Sequence, residues 1–259
     1  MSAGKFCWHD LMSTDPDVSR EFFTKLFGWT VSPMDMGEMG TYQMLMNGET
    51  GIGGIVPLDD SVPVPSHWIG YVTADDVDAA LERGANHGGR TCVPGTDIPE
   101  VGRFGVLTDP SGAVISPFKS LHEAEEGSDN QECVPIPGSF CWNELLTDDV
   151  DQAKAFYGEV FGWSTLDNDM GEMGTYTLFR DGETDRGGMM TMPPNVSAPP
   201  HWLHYVLVAD VDAKAGEVTD LGGNVFCQPT SIPGIGRFAV CSDPTGATFA
   251  IFKGAPKQG

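Results

Sequence analysis

DMGEMGTY occupies residues 35–42, and the same eight letters occupy residues 169–176. An identical run of this length at an offset of 134 marks a duplication, and the register extends from it in both directions without an insertion. FCW at Phe6–Trp8 meets FCW at Phe140–Trp142, and FGW at Phe27–Trp29 meets FGW at Phe161–Trp163. Downstream, GET, HW, DVDA, GRF, DP and FK recur at the same spacing, so that 49 of the 116 positions from Gly4 to Lys119 equal their partners. The fold is therefore decided by reading one copy.

Within that copy, Lys5–Met12 alternates apolar and polar residues, which predicts a strand. Val18, Phe22, Phe23, Leu26 and Phe27 follow at helical spacing over 15–27, with Thr14 or Asp15 as cap and Gly28 as terminator. Short strands are expected around 29–34, 41–46 and 51–58, separated by glycine-containing turns. The second half repeats the order: a strand at 67–73, a helix at 77–86 closed by Gly88 and Gly89, and strands near 90–94, 103–108 and 113–118. Each copy thus reads as strand, helix and three strands, twice over. The acidic and then proline-rich stretch 121–137 reads as a linker between a first domain, 4–120, and a second, 138–254.

Composition narrows the function. The 259 residues include 33 Gly and 19 Pro, which favours frequent turns over long helical bundles. Fourteen Lys and Arg against 37 Asp and Glu leave a formal charge of −23, which repels nucleic acid and anionic lipid alike. No apolar run approaches the roughly 18 residues needed to span a bilayer, and the N-terminus lacks the pattern of a signal or transit peptide. A cytoplasmic protein is expected, with a small molecule rather than nucleic acid or membrane as partner. Six cysteines show no metal-ribbon spacing, and the paired Cys7 and Cys141 read as buried free thiols.

The ordered motifs resemble the vicinal oxygen chelate superfamily, the group of glyoxalases, bleomycin-resistance proteins and extradiol dioxygenases. The carriers are DPDVSREFF at 15–23 and DDVDQAKAFY at 148–157, then LFGW or VFGW, ADDVDA and VADVDA, the paired glycines, and the DPSGA and DPTGA turns, all in order and twice. The resemblance covers Gly4–Ser120 and Gly138–Gly254 and is nearest to two-domain bacterial glyoxalase-like or hydroxylase-like proteins. It implies an α+β fold of tandem domains, each two βαβββ modules forming a curled mixed sheet around a cleft. It also implies a divalent metal, held by the first strand of each module and by the last strand. In this chain those positions fall on Trp8 and Trp142, near Ile69 and Leu203, and on Ser116 and Ala250, none of which ligates a metal well.

Strand alternation places Trp8 with Asp10 and Trp142 with Glu144, and it groups His67, Ile69 and Tyr71 as it groups His201, Leu203 and Tyr205. His204, opposite Gly70 in the alignment, falls on the other face. The expected ligand-binding set is Trp8, Trp142, Tyr71, Tyr205, His67, His201, Arg103 and Arg237: aromatic surfaces for stacking, and guanidiniums able to clamp a carboxylate or, in so acidic a chain, to form structural ion pairs. No cofactor is expected, and the leading reading is a small aromatic molecule bound without metal. The alternative is a divalent-metal lyase, isomerase or dioxygenase acting on vicinal oxygens. It would use Asp10, His67, Glu144 and His201 as catalytic residues or ligands, with Glu38 or Glu172 on a turn as a possible third donor. A third reading is a catalytically idle scaffold, and in each case intrachain domain pairing favours a monomer.

Overall fold

A computed structural model describes residues 4–37, 40–59, 64–122, 135–171, 174–194 and 196–256. The first repeat runs β1 (Phe6–Ser13), α1 (Pro16–Phe27), β2 (Thr30–Asp35), β3 (Thr41–Asn47), β4 (Thr50–Pro57), β5 (His67–Thr73), α2 (Val77–Asn86), β6 (Arg90–Ile98), β7 (Gly102–Thr108) and β8 (Val114–Ser120). The second runs β9 (Phe140–Thr147), α3 (Val150–Phe161), β10 (Ser164–Asp169), β11 (Thr175–Asp181), β12 (Thr184–Thr191), β13 (His201–Leu207), α4 (Val211–Asp220), β14 (Asn224–Ile232), β15 (Gly236–Ser242) and β16 (Thr248–Gly254). Each repeat has one eight-stranded mixed sheet, in the orders β2-β3-β4-β1-β5-β8-β7-β6 and β10-β11-β12-β9-β13-β16-β15-β14. This is the α+β architecture of two βαβββ modules per repeat that the sequence predicts.

The helices begin and end where local chemistry dictates. Asp15 and Asp149 accept hydrogen bonds from the Val18 and Gln152 amides, satisfying first-turn donors that have no intrahelical partner. Gly28 and Gly162, at φ of 72° and 73°, supply the left-handed residue that stops each helix. Asp76 and Asp210 cap α2 and α4 in the same way.

Compact units do not follow the repeat boundaries. Chain contacts group Met1–Trp8, Ile69–Cys133 and Trp142–Trp202 into one unit, and His9–Trp68, Val134–Cys141 and Leu203–Gly259 into another. In the first unit, Val77, Ala80 and Leu81 of α2 share a core with Ala153, Phe156, Tyr157 and Val160 of α3. In the second, Phe22, Phe23 and Leu26 of α1 share a core with Val211, Ala215 and Val218 of α4. Each buried aromatic in these layers contributes on the order of 1.5–3 kcal/mol, so neither helix face is satisfied within its own module.

Polar ties accompany the packing. In the first unit the Tyr157 hydroxyl donates to Asp109 (3.1 Å) and accepts from the Trp202 indole (2.9 Å), and Arg83 donates to the Val160 carbonyl (3.0 Å). In the second, Ser19 donates to the fully buried Asp243 (2.6 Å), and Lys214 reaches the Leu26 carbonyl (2.6 Å). The DP turns of the sequence thus present buried carboxylates to a helix from the other repeat.

Candidate active sites

The best-organised polar groups outside the cores begin with a carboxylate on the first strand of each repeat. In the second unit, Asp10 stands opposite Gly54 in the parallel β1–β4 pairing and is 6% exposed. Its Oδ1 accepts a short hydrogen bond, 2.5 Å, from the Tyr42 hydroxyl on β3. Gly54 permits the approach, since a Cβ there would occupy the space of the phenol oxygen. In the first unit the same construction recurs: Glu144 pairs with Gly188, Tyr176 hydrogen-bonds to Glu144, and a Cβ on Gly188 would collide with the Tyr176 hydroxyl. There the Trp142 indole also donates to the Tyr176 oxygen at 2.8 Å. Burial, followed by the Glu144 charge, pushes the Tyr176 phenol far above its ordinary range, so it stays protonated and donates.

A histidine opens the strand after each proline. His67 Nδ1 lies 2.8 Å from the Pro65 carbonyl, and His201 Nδ1 lies 2.8 Å from the Pro199 carbonyl. A carbonyl only accepts, so Nδ1 carries the proton and the neutral ring keeps its lone pair on Nε2. Burial holds the His201 imidazole below its ordinary pKa, against the smaller upward pull of the carbonyl. His204 lies on the opposite face, fully buried, edge-on to His9 (4.8 Å) and Phe140 (6.4 Å) in the second unit.

Aromatic triplets form the third recurring feature. In the first unit Tyr71 packs 6.2 Å from Phe104 and 6.3 Å from Phe118. In the second, Tyr205 packs 6.4 Å from both Phe238 and Phe252, with almost the same interplanar angles. Trp8 and Trp142 are half-buried.

Arg103 and Arg237 are engaged by the chain itself. Arg103 grips Asp78 through two bonds of 2.9 Å and Asp97 at 2.7 Å, while Arg237 grips Asp212 through two bonds of 2.7 Å and adds Ser231. The guanidiniums hold Asp78 and Asp212 below the usual carboxylate range. Of the two roles the sequence allows these guanidiniums, ligand clamp and structural ion pair, the structure shows the ion pair, with helix-borne aspartates. Cys7 and Cys141 are free thiols that donate to the Tyr71 and Tyr205 carbonyls, and burial pushes each to about 12. Glu38 and Glu172 lie outside the described residues. The groove beside Arg83, Glu159 and Phe161 in the first unit holds none of the expected site residues.

The positions at which the family resemblance implies metal ligands do not supply them. Trp8 and Trp142 offer an indole N–H, Ile69 and Leu203 are buried hydrocarbon, Ala250 is a methyl group, and Ser116 spends its hydroxyl on the Gly105 carbonyl at 2.7 Å. Among the described residues no three His, Cys, Asp or Glu side chains come together in a metal-holding group. Tyr42, Tyr176, Gly54 and Gly188 are the members the sequence reading missed. The signal was present: the identical run ends in Tyr42 and Tyr176, and the glycine pairs at 53–54 and 187–188 recur.

A family model for the Glyoxalase/Bleomycin resistance protein/Dioxygenase superfamily matches residues 7–116 and 140–251. The Mycobacterium tuberculosis protein named "Putative glyoxylase CFP32" is 37% identical over 255 residues, spanning 97% of this chain and 95% of its own. Anthracycline biosynthesis protein DnrV of Streptomyces peucetius is 30% identical over 261 residues, spanning 96% of this chain and 92% of its own. Among solved structures, the Mn(II)-bound glyoxalase from Novosphingobium aromaticivorans has a TM-score of 0.63 at 14% identity, over 97% of this chain and 82% of its own. The 2,3-dioxygenase LapB from Pseudomonas sp. KL28 has a TM-score of 0.63 at 14% identity, over 99% and 94%. Identities this low establish a shared fold.

Proposed function

Because the chain belongs to the glyoxalase/bleomycin resistance protein/dioxygenase superfamily, we propose that it uses that scaffold to bind a small planar aromatic molecule without the family's metal. The observation that carries this reading is the recurrence of the Tyr71–Phe104–Phe118 and Tyr205–Phe238–Phe252 triplets, one in each unit. Aromatic pairs at such separations are worth about 0.5–1.5 kcal/mol each beyond area burial, the interaction a planar aromatic ligand would share. Each unit also carries one carboxylate–phenol pair able to orient a ligand oxygen. One relative is named an anthracycline biosynthesis protein, and anthracyclines are aromatic, which supports this ligand class. The residues at the family's ligand positions do not fit a divalent ion, and no step here depends on one.

Binding of this kind raises the melting temperature in proportion to ln(1 + [L]/Kd). A hydroxylated anthraquinone such as quinizarin is expected to stabilise the full chain in a concentration-dependent way, and Tyr71→Ala with Tyr205→Ala to abolish the shift. Stabilisation unaltered in that double variant would refute the assignment of the triplets.

A second reading, a proton-transferring enzyme, is favoured by the imidazoles of His67 and His201, whose carbonyl partners direct a lone pair to Nε2. It predicts turnover of an enolisable substrate that disappears in His67→Gln with His201→Gln.

A further inference from the structure

We propose that the outer edge of β14, in the second unit, is a self-association surface on which a second copy of this chain docks about a two-fold axis, with Phe226 at its centre.

Four strands end the two sheets: β2 and β6 in one, β10 and β14 in the other. An open edge offers unpaired backbone donors and acceptors, and proteins commonly guard it with charge. β2 carries Asp35, β6 carries Arg90 and Asp97, and β10 carries Asp167 and Asp169, all exposed. β14 carries no charged residue, and the uncharged stretch runs from Leu221 to Gly236 in a chain of net charge −23. The two repeats diverge at this edge in one direction. Arg90, Asp97 and Glu100 of the first correspond to Asn224, Ser231 and Gly234 of the second, and Cys92 corresponds to Phe226.

Phe226 is 66% exposed, the one exposed Phe, Tyr or Trp side chain among the described residues. The β14–β15 register shifts between Val225 and Cys227, so Phe226 is the extra residue of a bulge, a device that re-aims a side chain. Ile235, also exposed, stands in the turn that leads from β14 to β15. An aromatic centre from which charge has been removed is the composition of a protein–protein contact. The net charge selects the occupant. Two copies repel wherever their acidic faces meet, so self-contact is confined to a neutral face, and about a two-fold axis one neutral edge meets its equal. A basic partner would be drawn to the acidic faces instead. Nine residues of strand run about 30 Å, which suits a reversible contact rather than an obligate one.

Sedimentation velocity of the full chain in reducing buffer, from about 1 to 200 µM at about 0.1 M and 1 M KCl, tests the proposal. A reversible dimer is expected, tighter in 1 M KCl, because salt screens the mutual repulsion and leaves the apolar contact. Asn224→Arg with Ser231→Asp gives the edge the charges that the first repeat carries at the same fold positions, and Phe226→Ser removes the exposed ring. Each variant should raise the dissociation constant at least about tenfold, the first by burying charge and the second by deleting the anchor. Leu166→Asp, on the β10 edge, should leave it unchanged. A dimer indifferent to both β14 variants, or one broken by Leu166→Asp, would overturn the proposal. So would a monomer at every concentration, the state expected from intrachain pairing, which would leave the edge to a different protein.

Discussion

Tyr176 accepts from Trp142 and donates to Glu144, so Tyr176→Phe removes two interactions from a buried environment and is expected to cost about 1–3 kcal/mol in denaturant unfolding. Gly188→Ala should cost at least as much, because the new methyl displaces the phenol. Gly216→Ala on α4, where a Cβ meets nothing within 4 Å, should be neutral or stabilising by up to about 1 kcal/mol. His201 yields a pH prediction. Its folded pKa lies below the ordinary 6.5, so the unfolded chain takes up more protons as the pH falls through that range. The associated stability is fully present above about 6.5 and declines on acidification; His201→Gln should remove that part of the decline in denaturation curves compared at neutral and mildly acidic pH. The candidates themselves are legible from residue types: strand alternation and duplication single out the acids, the histidines and tyrosines 71 and 205. The phenol partners are not, because Tyr42 and Tyr176 lie on other strands, and their reach to the acids depends on the glycine gap that pairing creates.

At the scale of elements, the helices follow their caps closely. The helix expected over 77–86 is observed as Val77–Asn86, and the one expected over 15–27 starts at Pro16 with Asp15 as its cap. Most strand boundaries move by a residue or two, as at β2, which begins at Thr30 and reaches Asp35, but β6, expected over 90–94, continues to Ile98. Register and glycine turns set those ends, and periodicity alone does not resolve them. What the repeat could not disclose is which helix packs on which. The α2–α3 and α1–α4 cores join residues from different repeats, and such pairing is decided by long-range burial of Phe156 or Phe22 rather than by any local pattern. This makes Tyr157 informative. Tyr157→Phe deprives both Asp109 and the Trp202 indole of a buried partner and should destabilise the chain by about 1–3 kcal/mol, measured by urea titration. Burial already raises the Asp109 pKa, so losing the phenol leaves that carboxylate less supported still.

For the whole molecule, the formal charge of −23 is a standing repulsion that the compact state must bear. Local pairs such as Arg103–Asp78 relieve it only at points. Raising KCl from about 0.1 M to 1 M shortens the screening length from about 10 Å to 3 Å, and the melting temperature is expected to rise with it. A flat or falling melting temperature over that range would show that burial, rather than surface repulsion, governs stability. An acidic surface of this kind also opposes nucleic acid and anionic membranes. Among the described residues no helix is long and apolar enough to cross a bilayer.

The fold is shared with a Mn(II)-bound glyoxalase, yet at the positions where the family resemblance implies ligands this chain carries Trp8, Ile69 and Ser116 in one repeat and Trp142, Leu203 and Ala250 in the other. The proposed function, metal-independent recognition of an aromatic molecule on this scaffold, is open to direct test. The most direct measurement is calorimetric titration of the full chain with quinizarin before and after exhaustive dialysis against EDTA, and again after adding Mn(II). The account predicts saturable binding with the same Kd in all three preparations. Binding that is lost on chelation and restored by Mn(II), or absent throughout, would contradict it.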